Sequence, residues 1–91
     1  MFPTELDNAK VLYYTPQDDY GAIKYPNGEA ADYYHYLAIC VYPQYPDDNN
    51  YYLFCCNEEY EVVSDCLVSS VEECMEIAAL SYKENICWIK A

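Results

Sequence analysis

Arginine is missing from this chain, and its basic residues are four lysines set against sixteen aspartates and glutamates, for a net charge of −12. Little in such a sequence can neutralise phosphates, so direct binding of nucleic acid is not expected. Docking on an anionic membrane surface is not expected either. Glycine occurs twice, at Gly21 and Gly28, too rarely to build a phosphate-cradling loop, and nucleotide cofactors are not expected. Histidine occurs once, at His35. No apolar run reaches the roughly 18 residues that a membrane-spanning helix needs. Residues 1–7 (MFPTELD) lack the basic and apolar segments of a signal peptide, which gives the expectation of a cytoplasmic protein.

What remains is a single domain, 1–91, that is 54% hydrophobic and carries thirteen tyrosines and six cysteines. That is too apolar for a disordered acidic tail. Each cysteine lies in an apolar run, where a free thiol acts as a small hydrophobe. In a reducing compartment they are expected to stay free and mostly buried. There is no C-x-x-C spacing, and Cys55-Cys56 is too tight a pair for ordinary zinc ligation.

Residues 1–8 read as a loosely held lead-in. Residues 10–15 (KVLYYT) and 20–25 (YGAIKY) read as strands, with Pro26-Asn27-Gly28 as a hairpin turn whose Asn-Gly pair supplies positive φ angles. Most of residues 29–42 reads as strand. One parity gives Tyr33, His35, Leu37, Ile39 and Val41, an aliphatic core face. The other gives Tyr34, Tyr36, Ala38, Cys40 and Tyr42, a tyrosine face. Residues 51–56 (YYLFCC) and 60–65 (YEVVSD) form a hairpin across a 57–59 turn.

Ser70, with Glu73 three residues on, predicts a capped helix over about residues 70–82. Its Val71, Cys74, Met75, Ala78 and Tyr82 share one face. Residues 86–90 read as a last strand. The order predicts an α+β fold: an antiparallel β-meander of about five to six strands with one amphipathic helix on one face, leaving the tyrosines on the other.

Chemistry is hard to find in this pattern. A single histidine on an apolar face reads as structural, with no base beside a nucleophile. The acidic pairs Asp18-Asp19, Asp47-Asp48 and Glu58-Glu59 fall in predicted turns, where water keeps both carboxylates ionised. Residues 47–50 (DDNN) hint at a calcium loop. The glycine that such a loop needs at its sixth place is Tyr52 here. No catalytic, metal-binding or cofactor-binding residue is predicted.

The charge exceeds what solubility of a small domain requires, a magnitude of about 2–8. Tyrosine is a frequent anchor of interfaces. Together they predict a non-enzymatic acidic binding protein whose contacts are Asp18, Asp19, Tyr20, Tyr45, Asp47, Asp48, Glu58 and Glu59, with Glu72, Glu73 and Glu76 as a second patch on the helix. The expected partner is a basic protein: a toxin, a nuclease or another nucleic-acid-binding enzyme. The alternatives are a nucleic-acid mimic and a homodimer through the tyrosine-rich sheet face.

Residues 51–79 (YYLFCCNEEYEVVSDCLVSSVEECMEIAA) place an aromatic-rich strand, an acidic turn, a second strand and a Ser-x-x-Glu helix start in succession, with Trp88 in the final strand. This arrangement resembles small bacterial immunity proteins that neutralise polymorphic or contact-dependent toxins. The resemblance implies stoichiometric inhibition of a toxin, and transfers no individual residue role. Small acidic phage inhibitors such as anti-CRISPR proteins are similar in composition only.

Overall fold

Two short pairings open the chain. In the computed structural model, which describes residues 1–44 and 50–91, β1 (Glu5–Leu6) pairs with β2 (Ala9–Tyr14), and β3 (Ala22–Lys24) pairs with β4 (Ala30–Tyr33). β5 (Tyr36–Val41), β6 (Tyr51–Cys56), β7 (Val62–Val68), the helix α1 (Val71–Ser81) and β8 (Ile89–Lys90) follow. The main sheet has six antiparallel strands in the order β1-β2-β5-β6-β7, with β8 also on β2, and β3-β4 is a separate two-stranded sheet. The result is an α+β fold with a single helix among the described residues.

The first hairpin was not expected. Asp7 and Asn8 have φ of 48° and 67°. They are the two central residues of the β1-β2 turn, and Asp and Asn tolerate this region better than most side chains. The lead-in is therefore folded: Leu6 is buried, and Phe2 packs into an aromatic layer. The outer edge of β2 is covered along its length. β1 takes Ala9 and Lys10, the Val11 N–H donates to the Thr4 carbonyl, the Ala91 N–H donates to the Leu12 carbonyl, and β8 takes Tyr13 and Tyr14.

The Asn27-Gly28 turn is present in another form than expected. The Gly28 N–H donates to Tyr25 and the Tyr25 N–H to Glu29. Only Gly28 has a positive φ, 90°, so Pro26 and Asn27 make a type I turn and Gly28 closes it. The expected strand over 29–42 is broken at Tyr34 and His35, where the chain passes from the small sheet to the large one. At that break the alternation fails. Tyr34 turns into the helix-side core, its ring edge-on to Tyr82 at 5.7 Å, while Tyr33 is exposed.

From Tyr36 onward the alternation holds. Leu37 and Ile39 face the helix and join Leu53, Cys55 and Val68 from neighbouring strands, with Cys74 and Ala78 from α1. Val71, Met75 and Tyr82 pack beside them, as the helical spacing predicts. Full burial of each leucine or isoleucine contributes about 1.5–3 kcal/mol. Ser70 caps the helix by accepting the Glu73 N–H at 3.1 Å. The Glu73 carboxylate accepts from the Ser69 hydroxyl.

The opposite face is a second core. Ala38, Cys40, Phe54 and Cys56 are buried beneath a layer of half-buried rings: Phe2, Tyr14, Tyr36, Tyr42, Tyr52 and Tyr60. Among the described residues no helix lies there, and the tyrosine rings themselves shield the sheet. Cys40, Cys55, Cys56 and Cys74 are buried free thiols, Cys66 is half-buried, and Cys87 is exposed.

Candidate functional site

One end of the main sheet gathers carboxylates from three segments. The segment after β2 is held to β5 by buried Thr15, whose Oγ1 accepts the Leu37 N–H at 2.9 Å. The Asp18 N–H then donates to the His35 carbonyl, and the His35 N–H donates to the Cys56 carbonyl. These bonds set residues 17–19, the β4-β5 junction and the β6-β7 turn side by side.

The β6-β7 turn repeats the bonding of the β3-β4 turn. The Tyr60 N–H donates to Asn57, and the Asn57 N–H to Glu61, as Gly28 and Tyr25 do in the earlier hairpin. Tyr60 accordingly has φ of 64°. A left-handed tyrosine costs about 1–2 kcal/mol. Its ring stacks on Tyr36 at 4.8 Å and meets Phe2 edge-on at 5.3 Å, which offsets that cost.

Asn57 organises the acids around it. Its Oδ1 accepts the Glu59 and Glu61 N–H groups, and its Nδ2 donates to Asp32 Oδ2 at 3.1 Å and Glu61 Oε1 at 3.0 Å. Asp32, from β4, thereby joins Glu58, Glu59 and Glu61. Nearby, Asp18 accepts the Asp19 N–H, and Asp19 accepts the Gly21 N–H. Asp18 is also ion-paired to Lys83, the residue that follows the helix C-cap. The Lys83 hydrogen bond, with help from the Asp19 N–H, holds the Asp18 carboxyl below its ordinary range and raises Lys83 in turn.

Beside the Asp18 and Asp19 carboxylates lies an open cavity of about 410 Å³ lined by Gln17, Asp18, Asp19, Tyr33, Tyr34 and His35. His35 belongs to this wall and not to the aliphatic core where the strand parity placed it. Its Nδ1 lies 3.4 Å from the Gln17 amide nitrogen, and Gln17 Oε1 accepts from the Tyr36 hydroxyl at 3.3 Å. The hydrogen bond with Tyr60, then burial and the charge of Glu58, push the Tyr36 phenol up to about 12. Tyr33, 57% exposed, is the ring nearest to free at this end.

The expected contact residues are thus divided. Asp18, Asp19, Glu58 and Glu59 come together, all exposed. Tyr20 does not join them. It is 2% exposed, packed in the helix-side core, with its hydroxyl donating to the Pro16 carbonyl at 2.8 Å. The backbone bonds between Tyr20, Gly21 and Tyr34 draw this ring inward to anchor the base of the β3-β4 hairpin. Glu72 and Glu73 sit in the first helical turn, at the other end of β7, and Glu76 is exposed farther along the helix. Tyr45, Asp47 and Asp48 lie outside the described residues.

Asp32, Glu61, Asn57 and Tyr33 were missed. The sequence signal for Asn57 is its place before Glu-Glu at the start of a turn, where an Asx side chain caps backbone N–H groups. Asp32 gives no such signal, because it reaches the site through a long-range contact.

Among the described residues, no three or more His, Cys, Asp or Glu side chains are placed to hold a metal ion, and no helix is long and apolar enough to cross a membrane. No protein family, curated protein or solved structure matches the chain.

Proposed function

We propose that this acidic chain is a non-enzymatic binding protein that inhibits a basic protein partner by stoichiometric docking, in the manner of an immunity protein covering a toxin or nuclease. The observation that carries this reading is the assembly of Asp18, Asp19, Asp32, Glu58, Glu59 and Glu61 at one end of the sheet from three separate segments. Lys83 is the lysine that answers them there. A field of this sign speeds encounter with a cationic surface and discourages acidic ones. Tyr33 adds an exposed ring beside the carboxylates, the residue type that most often anchors an interface. Glu72 and Glu73 lie at the opposite end of β7, and Glu76 lies farther along the helix. That division favours a compact protein partner over mimicry of a continuous phosphate backbone.

The test is affinity capture from the source cells and from organisms that compete with them, followed by charge reversal. Asp19→Lys combined with Glu58→Lys and Glu59→Lys leaves every core contact in place. Capture of one basic protein at equal stoichiometry, lost on this triple reversal and weakened by salt, is the expected result. Capture that survives the triple reversal at unchanged affinity removes the acidic end from the interface.

A further inference from the structure

The two edges of the main sheet are finished in opposite ways. At one edge β2 is covered along its length by β1, β8 and their flanking backbone bonds. At the other, β7 runs for seven residues and, among the described residues, pairs only with β6. A strand edge presents a row of N–H and C=O groups ready to bond another chain, and proteins usually blunt it with lysine, proline or very short strands. β7 is not short and lacks lysine and proline: it reads Val62–Val68, VVSDCLV, with one charge at Asp65, one irregularity of register near its start, opposite Cys55 and Cys56, and Leu67 57% exposed.

Charge is segregated in the same sense. Lys10 lies on β2 and Lys90 on β8, at the covered edge. β6, β7 and α1 carry no lysine. The open edge is bordered by Glu58, Glu59 and Glu61 where β7 begins and by Glu72 and Glu73 just past its end, with exposed Asp65 midway. A second copy presenting its own β7 would set like charges against like.

Resting on the binding reading above, we propose that β7 is the seat of the partner's backbone: an extended segment rich in lysine or arginine adds to the sheet as a further strand beside β7. Main-chain hydrogen bonds supply affinity in this mode, and side chains at alternate positions supply selection. The incoming strand places its cationic side chains on the face that carries Asp65 and Leu67, their charged ends toward Asp65 and the two acidic ends and their aliphatic stems along Leu67. Seven residues of strand span about 23 Å.

The probe is a synthetic heptapeptide, Lys-Val-Lys-Thr-Lys-Val-Lys, blocked at both ends, titrated calorimetrically into the full chain at low salt. Its partner probes carry the same sequence with N-methyl groups on the odd or on the even residues, which keeps the charge and removes one row of backbone donors. Amide hydrogen exchange gives the location. The expected result is at least tenfold weaker binding for one methylated register than for the parent, with slowed exchange confined to β7 and none on β1 or β8. Asp65→Lys, at an exposed edge position, is expected to weaken the parent peptide at least tenfold while leaving the melting curve unchanged.

Equal binding of all three peptides, protection elsewhere on the sheet, or no binding overturns the proposal. So does a β7-paired dimer seen by sedimentation of the free chain. Salt-sensitive binding indifferent to methylation would leave the acidic docking reading standing and remove only the strand addition. If the Asp19, Glu58 and Glu59 triple reversal leaves capture of the natural partner intact, the docking reading fails whatever the peptides do.

Discussion

Tyr60 occupies in the β6-β7 turn the place that Gly28 occupies in the β3-β4 turn. Both turns share one pair of backbone hydrogen bonds, and both residues have positive φ, 64° and 90°. Glycine adopts that conformation without cost, whereas a tyrosine held there is an outlier of the kind that persists only when its surroundings impose it. Here the Phe2 and Tyr36 rings impose it. The strained residue sits in the turn that carries Glu58 and Glu59.

Substitution separates backbone from ring. Gly28→Ala meets no atom within 4 Å of the new Cβ, so its cost is the backbone alone, about 1–2 kcal/mol. Tyr60→Ala and Tyr60→Gly both lose the ring contacts, and only the glycine relieves the backbone. The glycine variant is therefore expected to be the more stable of the two by about 1 kcal/mol in urea unfolding. Equal stabilities would show that the left-handed turn is not kept in solution.

The helix cap is a second test. Ser70→Ala removes the acceptor of the Glu73 N–H and is expected to cost about 1 kcal/mol. Ser69→Ala removes only an exposed hydroxyl bond to the Glu73 side chain, and is expected to cost less than half as much in the same assay.

Thiol chemistry reports the two cores. Burial pushes Cys55 and Cys74 up to about 11 and Cys56 up to about 12, and raises Cys40 as well. The thiolate is the reactive form, so these four are expected to resist iodoacetamide at pH 8 in the native protein. Exposed Cys87 is expected to be modified first, with Cys66 slower. Peptide mapping after a timed pulse checks the order. Early modification of Cys40 or Cys56 would mean that the tyrosine layer opens readily.

Stability should fall at both ends of the pH scale for different reasons. Asp18 titrates lower when folded than when unfolded, because of Lys83. Its contribution is complete above its ordinary 3.8 and is lost as pH drops through the folded value. Lys83→Met should flatten that acid limb, and as an exposed pair the two should matter little near neutrality. Tyr36 titrates higher when folded, at about 12 against an ordinary 10.0, so its contribution is present below 10 and is lost as pH rises through 12. Tyr60→Phe removes the largest cause of that shift. A ¹³C-tyrosine titration should then place Tyr36 closer to its ordinary value.

The elements legible in the sequence are those decided by local pattern. Residues 51–56 are an unbroken aromatic and apolar run bounded by Asn50 and Asn57, and they form β6. Ser70 and the Val71, Cys74, Met75, Ala78 and Tyr82 stripe give α1 and its packed face. What escaped depends on distant partners. Tyr20 reads as a surface tyrosine beside two aspartates until Tyr34 draws it into the core. Asp7-Asn8 carries a turn signal, yet the preceding strand is only two residues long, too short to show periodicity. For the same reason Asp18, Asp19, Glu58 and Glu59 could be named as exposed acids, while their meeting, and the recruitment of Asp32, required the backbone bonds through His35 and the Asn57 side chain.

The covered edge of the sheet also sets an order of events during synthesis. β2 is among the first strands made, and it is flanked on its outer side by β1 and by β8, whose residues are Ile89 and Lys90. Half of that edge therefore stays bare until β8 has left the ribosome. A nascent chain not yet extended to β8 exposes strand edges on both sides of the sheet at once. Ribosome-stalled chains that stop before Ile89 are thus the form most prone to pair with one another, and this edge closes with the arrival of β8.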